Sequence, residues 1–88
     1  MNDLLSEKDA KAALEILAEE LGVDQKQLTS DARLKEDLGA DSLTLVEINM
    51  ALEDRFNLSI PDERLERVQT VGDVFELLAD MLQPPSRR

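Results

Sequence analysis

Apolar residues recur at helical spacing along most of this chain of 88 residues, and the first two stretches predict long helices. The first helix follows Ser6, whose hydroxyl suits an N-cap, and Gly22 suits the residue after its last turn. Its apolar positions are Ala10, Ala13, Leu14, Leu17 and Leu21. The second helix is predicted to run from Asp41 or Ser42 to Phe56.

Two further helices are predicted in the last third of the chain. Pro61 fits the first position of a short helix, because the first turn leaves its N–H groups unpaired and proline has none. Thr70, with Asp73 three residues later, is typical of the capping pattern at a helix start, and this last helix reaches Leu82. The apolar stripe of the last helix is Val71, Val74, Phe75, Leu78 and Leu82.

A long connection, residues 23–41, separates the first two helices. Leu28, Leu34 and Leu38 are its apolar anchors, and a turn is indicated at residues 29–31. No strand pattern occurs, so the predicted fold is an all-α four-helix bundle with a long first connection and a short third helix. Residues 1–82 are expected to form one domain, and residues 83–88, which include two prolines, a mobile tail.

The predicted second helix carries two apolar stripes instead of one. The first consists of Leu45, Ile48, Leu52 and Phe56, and the second of Leu43, Val46 and Met50. Because a surface helix usually needs only one stripe, this helix is either buried on two sides or exposes one stripe to a partner. Asn57 suits a left-handed cap after its last turn.

Acidic residues outnumber basic ones by 20 to 10, which gives a net charge of −10. This charge argues against binding to nucleic acid or anionic membranes and favours basic protein partners, although solubility alone would also explain it. No apolar run is long enough to span a bilayer, and no signal peptide is visible. We therefore expect a cytoplasmic protein without a membrane span.

Cysteine and histidine are both absent from the chain. Their absence excludes disulfides, thiolate metal sites and a Ser-His-Asp triad within this chain, and no metal-binding motif is present. Ser42 nevertheless lies at the predicted start of the second helix, where a phosphoester would face the positive end of the helix dipole. A serine at this position is also common for structural reasons alone.

The segment around Ser42, Leu34-Lys35-Glu36-Asp37-Leu38-Gly39-Ala40-Asp41-Ser42-Leu43, closely resembles the prosthetic-group attachment site of acyl carrier proteins. The resemblance extends to Gly22-Val23, Ile60-Pro61-Asp62-Glu63 and Thr70-Val71-Gly72-Asp73-Val74. It implies the same order of helices. It also implies that Ser42, flanked by Asp41 and Leu43, carries 4′-phosphopantetheine, whose thiol holds acyl groups as thioesters.

The resemblance implies two further sets of residues. A docking face for partner enzymes would comprise Asp41, Leu43, Val46, Glu47, Met50, Glu53 and Asp54. A core that opens to admit an acyl chain would comprise Leu45, Ile48, Leu52, Phe56, Ile60, Leu65, Val68, Val74, Leu77 and Leu78. A solvated charged face and an ordinary core are the alternatives, and an ordinary core could also open for a chain.

The function that the resemblance implies is that of a monomeric carrier and not of an enzyme. It would deliver acyl chains to enzymes of fatty acid biosynthesis, after a phosphopantetheinyl transferase has attached the arm, and its partners would carry basic docking patches. Thr44, Asn49 and Arg55 depart from the pattern of bacterial fatty-acid carriers. A specialised carrier of a polyketide, peptide-synthetase or dedicated lipid pathway is therefore the alternative within the family.

Two other classes of function remain as alternatives. The chain could be an acidic helical adaptor without a covalent arm, which the mass of the protein after treatment with coenzyme A and a transferase would reveal. An esterase that uses Ser42 is a distant third, because the chain has no histidine to act as its base. The acyl cargo and the individual partner enzymes are not indicated by the sequence.

Overall fold

The computed structural model describes residues 5–82. They form four helices, α1 (Glu7–Leu21), α2 (Ser42–Phe56), α3 (Asp62–Leu65) and α4 (Val71–Leu82). The predicted all-α order, with its long first connection and short third helix, is confirmed. Within residues 5–82, every helix falls short of the length and apolarity needed to cross a bilayer. The predicted tail, residues 83–88, lies outside the described residues, so the domain boundary at residue 82 stays a prediction.

The ends of the first two helices follow local sequence signals. Ser6 is the N-cap of α1, and its hydroxyl accepts a hydrogen bond from the backbone N–H of Asp9 at 3.1 Å. Gly22 and Asn57 follow the last turns of α1 and α2 in the left-handed conformation, with φ of 69° and 56°. Residues that tolerate this conformation let the chain leave each helix while still pairing the last carbonyl groups.

The short helix α3 begins one residue later than predicted. Pro61 is its N-cap and not its first helical residue, because its ψ of 146° is extended. Its φ of −64° suits both positions, so the proline ring alone does not decide between them. The carbonyl of Pro61 already accepts hydrogen bonds from the N–H groups of Arg64 and Leu65, at 3.0 and 3.2 Å.

The capping pattern predicted for the last helix is present in both directions. The Thr70 hydroxyl accepts a hydrogen bond from the backbone N–H of Asp73, and the Asp73 carboxylate accepts one from the backbone N–H of Thr70, both at 3.1 Å. The same carboxylate also accepts a bond from the N–H of Gln69 at 2.9 Å. One aspartate therefore fixes the direction from which the chain enters α4.

The long connection is part of the core. Its predicted anchors Leu28, Leu34 and Leu38 are all buried, as the sequence indicates. They belong to the same core cluster as the most deeply buried large side chains of the helices, which are Leu17, Ile48, Leu52 and Leu78. The connection also contains a short 3₁₀ helix, Gln25–Gln27, which the apolar pattern does not predict because none of its residues is buried.

The connection is held to the start of α4 by backbone hydrogen bonds, in an antiparallel arrangement with a single bridge between Arg33 and Thr70. The bonds run from Leu34 N to Gln69 O (2.9 Å), from Val71 N to Ala32 O (3.0 Å) and from Gly72 N to Ser30 O (2.8 Å). This pairing fixes the segment that leads into α2, and therefore the position where α2 begins.

Gly72 is the residue at which this pairing is most sensitive to substitution. A Cβ atom added there would lie 2.9 Å from the backbone oxygen of Ser30, which is closer than such atoms normally approach. Glycine-to-alanine changes inside helices usually stabilise by about 0.5–1 kcal/mol. We expect Gly72→Ala to lower the free energy of unfolding by about 1–3 kcal/mol instead, as measured by urea denaturation.

The control is Glu76→Ala, an exposed position in the same helix, where we expect a change within about 0.5 kcal/mol. A stabilised Gly72→Ala protein would show that the connection does not press against α4.

Candidate functional site at the N-terminus of α2

The chain enters α2 through a short, fixed segment. Leu38 and Ala40 are buried, and the N–H of Ala40 donates to the carbonyl of Leu34 at 2.8 Å. Gly39 lies between them with a φ of 75°, which residues with a Cβ rarely adopt. A Cβ at Gly39 would meet no atom within 4 Å, so the requirement for glycine comes from the backbone angle and not from space.

Asp41 is the N-cap of α2. Its Oδ1 accepts hydrogen bonds from both the backbone N–H and the hydroxyl of Thr44, each at 2.9 Å. These bonds favour the ionised carboxylate and lower the pKa of Asp41 from its usual value of 3.8. The bond from the backbone N–H of Thr44 has the largest effect, and the bond from its hydroxyl has the next largest. Asp41 therefore does the capping, and the serine after it is not needed for that purpose.

Ser42 is the first residue of α2 and is exposed. Within residues 5–82, no side-chain hydrogen bond engages its hydroxyl, since the capping bonds at this helix end go to Asp41. An exposed hydroxyl at the positive end of a helix dipole suits an esterified phosphate, because the dipole favours the anion and a modifying enzyme can reach the oxygen. The residues at this helix end thus fit a phosphate-linked group on Ser42.

The second apolar stripe of α2 is exposed, which decides between the two possibilities that its sequence leaves open. Leu43, Val46 and Met50 are 65%, 49% and 61% exposed, and they are the large exposed apolar side chains among the described residues. Glu47 and Asp54 are also exposed, on the same side of the helix. The structure therefore brings together an apolar strip with an acidic margin beside Ser42.

Glu53 differs from the other acids of the predicted docking face. It is half-buried, and its Oε2 accepts a hydrogen bond of 2.7 Å from the backbone N–H of Ile60. This bond ties the α2–α3 connection to α2, seven residues away in sequence. The sequence gives no signal for it, because the pairing depends on how the connection folds back. Docking by Glu53 stays a prediction.

The ten residues predicted to admit an acyl chain all belong to or pack against one core cluster. Ile48, Leu52, Ile60, Val74, Leu77 and Leu78 are buried, whereas Leu45, Phe56, Leu65 and Val68 are half-buried. Two surface clefts reach this set, one lined in part by Leu34, Leu45 and Val68 and the other by Val68 and Leu77. The half-buried members therefore lie where the core meets the surface, and the passage of a chain between them stays a prediction.

Arg55 and Asn49, which like Thr44 depart from the pattern of bacterial fatty-acid carriers, also have defined positions in the structure. Arg55 is exposed near the end of α2, and its guanidinium carbon lies 5.7 Å from the ring centroid of Phe56. Asn49 is half-buried, and its Oδ1 is buried with no hydrogen-bond partner in residues 5–82. The sequence shows a polar residue next to the buried stripe, but not that its oxygen is left unpaired.

No group of three acidic side chains in the described part of the chain is placed to hold a metal ion.

Comparison with known proteins gives concordant results. The model of a family described as "Phosphopantetheine attachment site" matches residues 11–78. Among curated relatives, the acyl carrier protein of Helicobacter pylori is 51% identical over 65 residues, covering 74% of this chain and 83% of that protein. The acyl carrier protein of Syntrophobacter fumaroxidans is 50% identical over 66 residues, covering 75% of this chain and 82% of that protein.

The fold is similar to that of a solved structure described as an acyl carrier protein of Mycobacterium tuberculosis. The two chains are 32% identical, with a TM-score of 0.76, and the match covers 81% of this chain and 95% of the other.

The lowered pKa of Asp41 predicts a dependence of stability on pH. Because the folded state holds this carboxylate ionised, its contribution is complete above the usual pKa of 3.8 and is lost as the pH falls through the lower folded-state value. Asp41→Asn retains a capping oxygen without the charge. We expect the wild-type protein to lose stability relative to this variant as the pH falls, in urea unfolding between about pH 2 and pH 6.

Asp54→Asn, which removes one exposed acid from the same helix, controls for the change in net charge. Identical pH dependence in Asp41→Asn and Asp54→Asn would contradict a special role for the Asp41 carboxylate.

Proposed function

Because this chain belongs to the acyl carrier protein family, whose prosthetic group is 4′-phosphopantetheine, we propose that it carries acyl chains on an arm attached to Ser42. The observation that carries this proposal is the exposed Ser42 at the start of α2, where Asp41 makes the capping bonds instead. When bound, the group supplies a terminal thiol that holds acyl chains as thioesters. The chain itself acts as a substrate presented to enzymes and not as a catalyst.

Attachment of the arm requires a reachable oxygen on Ser42. The Ser42 oxygen forms a bond to the phosphorus nearest the pantetheine part of coenzyme A, and the bond from that phosphorus to adenosine bisphosphate breaks. In this proposal the hydroxyl proton passes to a base of the transferase as the new bond forms. The fixed segment before α2 presents Ser42 without requiring the helix to unfold.

The exposed strip of Leu43, Val46 and Met50 is the centre of the proposed docking face. Apolar side chains of this size supply contact area, while Asp41, Glu47 and Asp54 attract basic patches and speed the encounter. A small face of this kind suits partners that must release the carrier quickly after each transfer. The proposed partners are the phosphopantetheinyl transferase and enzymes that build or transfer acyl chains.

The core beneath the opposite side of α2 is the proposed shelter for the acyl chain. Its half-buried members Leu45 and Val68 line a cleft from which a chain could reach the buried residues behind them. Each methylene that leaves water gains about 0.8 kcal/mol, which offsets the cost of separating packed side chains. A sheltered thioester is also less exposed to hydrolysis.

We propose fatty acid biosynthesis, in the cytoplasm and as a monomer, as the setting of this carrier. The sequence identity of 50–51% to two bacterial acyl carrier proteins supports this setting. Thr44 and Arg55, which depart from the pattern of bacterial fatty-acid carriers, favour the alternative, a specialised carrier of a polyketide, peptide-synthetase or dedicated lipid pathway. Mass analysis of the acyl group released from protein purified from its native cells distinguishes the two.

Attachment is tested by intact mass after incubation with coenzyme A and a phosphopantetheinyl transferase of broad specificity. We expect the wild-type protein to gain the mass of one phosphopantetheine group and Ser42→Ala to gain none, because the accepting oxygen is missing. Ser59→Ala, which removes another exposed serine, should gain the same mass as the wild type. A wild-type protein that gains no mass would favour the adaptor without an arm.

Docking is tested with the same transferase reaction. Val46→Asp places a charge at the centre of the apolar strip, and we expect kcat/KM to fall about tenfold while Ser42 remains intact. Gln25→Asp adds the same charge at an exposed position of the long connection and serves as the control, with little change expected. Equal kcat/KM values for Val46→Asp and Gln25→Asp would remove Val46 from the docking face.

A further inference from the structure

The hydroxyl of Thr44 makes a hydrogen bond that the cap of α2 does not need. Capping requires only that Oδ1 of Asp41 accept a bond from a backbone N–H of the first turn, and the N–H of Thr44 donates it at 2.9 Å. The Thr44 hydroxyl donates to the same oxygen, also at 2.9 Å. Two donors from one residue therefore hold one carboxylate oxygen, and the second is in excess of what the helix end requires.

Asp41 is also the residue directly before Ser42. A free carboxylate beside a serine competes for the hydroxyl proton of that serine, because a hydroxyl donates readily to an ionised acceptor. In the described part of the chain this carboxylate is instead bonded to Thr44, and Ser42 is exposed without a side-chain partner. Rotation of the Asp41 side chain towards Ser42 would break both bonds, so Thr44 keeps the two side chains apart.

The same two bonds act on the negative charge beside Ser42. The lowered pKa of Asp41 keeps its carboxylate ionised. This charge lies one residue from the oxygen that, in the proposed function, forms a bond to phosphorus and then carries a second anion. Like charges repel more strongly at shorter distance. A carboxylate held against the first turn of α2 by two donors therefore opposes the approach of the phosphate less than a mobile one would.

We propose that Thr44 is a positioning residue for attachment of the arm, which acts by holding the Asp41 carboxylate away from Ser42. This inference rests on the proposed function and concerns the same site. With the carboxylate held, the Ser42 hydroxyl is free to meet the transferase. Thr44 is also one of the residues that depart from the pattern of bacterial fatty-acid carriers, so the arrangement is a feature of this chain.

The test follows transfer of phosphopantetheine from coenzyme A to the full chain by a transferase of broad specificity, below the Tm of every variant. Thr44→Val removes the hydroxyl and retains the branched shape. We expect kcat to fall about fivefold, the size of one lost hydrogen bond. KM for the carrier should stay within about twofold, because the exposed strip of Leu43, Val46 and Met50 is unchanged.

Three further variants separate the hydroxyl from the fold. Thr44→Ser retains the donor and should transfer at the wild-type kcat. Thr44→Ala repeats the loss of the hydroxyl with a residue that favours helices, which keeps the test valid if Thr44→Val folds poorly. Thr29→Val is the matched control, because the Thr29 hydroxyl donates to the carboxylate of Asp31 at 3.0 Å in the long connection, and its kcat should be that of the wild type.

Two readouts show whether Thr44 acts through Asp41. In an Asp41→Asn background, which lacks the carboxylate, Thr44→Val should cause little further change in kcat, since the effects of coupled residues do not add. In NMR titration of the Asp41 carboxyl carbon, Thr44→Val should raise the pKa of Asp41 towards its usual value, because one of the two bonds that favour the ionised form is lost.

The outcomes that would overturn the inference are specific to Thr44. They are a wild-type kcat in both Thr44→Val and Thr44→Ala, a loss in Thr44→Ser as large as in Thr44→Ala, a change in KM alone, or an undiminished effect in the Asp41→Asn background. Each of them leaves the carrier function intact. A wild-type protein that accepts no phosphopantetheine would instead count against the proposed function itself.

Discussion

The backbone pairing between the long connection and the start of α4 is the constraint on which the functional end of the molecule depends. Three hydrogen bonds of 2.8–3.0 Å join residues 30–34 to residues 69–72, which are far apart in the chain. Without this pairing, the connection would be held to the core mainly by its buried leucines and alanines, and apolar contacts do not fix direction. Because the connection is held, Gly39 and Ala40 lead into α2 along one path, and Ser42 is presented at a defined place.

The surface of α2 has three distinct parts. Its N-terminal end holds Asp41 and Ser42, its exposed strip is centred on Val46, and its inner side buries Ile48 and Leu52. This division explains why the helix is apolar on two sides. An apolar outer strip lowers solubility, and the net charge of −10 counteracts that effect through repulsion between molecules. The acidic composition therefore accompanies an apolar strip that lies uncovered in the structure, as the proposed docking face requires.

Sequence reasoning predicts the features that depend on neighbouring residues. The caps at Ser6 and Gly22 and the reciprocal pair of Thr70 and Asp73 are local, and the structure has each of them. Pro61 shows the limit of such reasoning, because φ is set by the ring whereas ψ, which decides where α3 begins, is set by the chain around it.

The features that the sequence does not predict come from contacts between distant segments. The bond from Ile60 to Glu53 and the contact between Gly72 and Ser30 both require the tertiary fold. The sequence also does not predict that the strip around Val46 is exposed, since the same apolar pattern would fit a helix buried on two sides. At the candidate site, Ser42 is identified by its sequence neighbours, while the reason that its hydroxyl is free lies in the bonds that Asp41 makes with Thr44.

The composition of the core supports the proposal that it opens for an acyl chain. Its buried side chains are almost entirely aliphatic, and Phe75 is its one buried aromatic residue among those described. Aliphatic cores tolerate repacking, because their side chains change rotamer at small cost, so the proposed entry of an acyl chain does not require the domain to unfold.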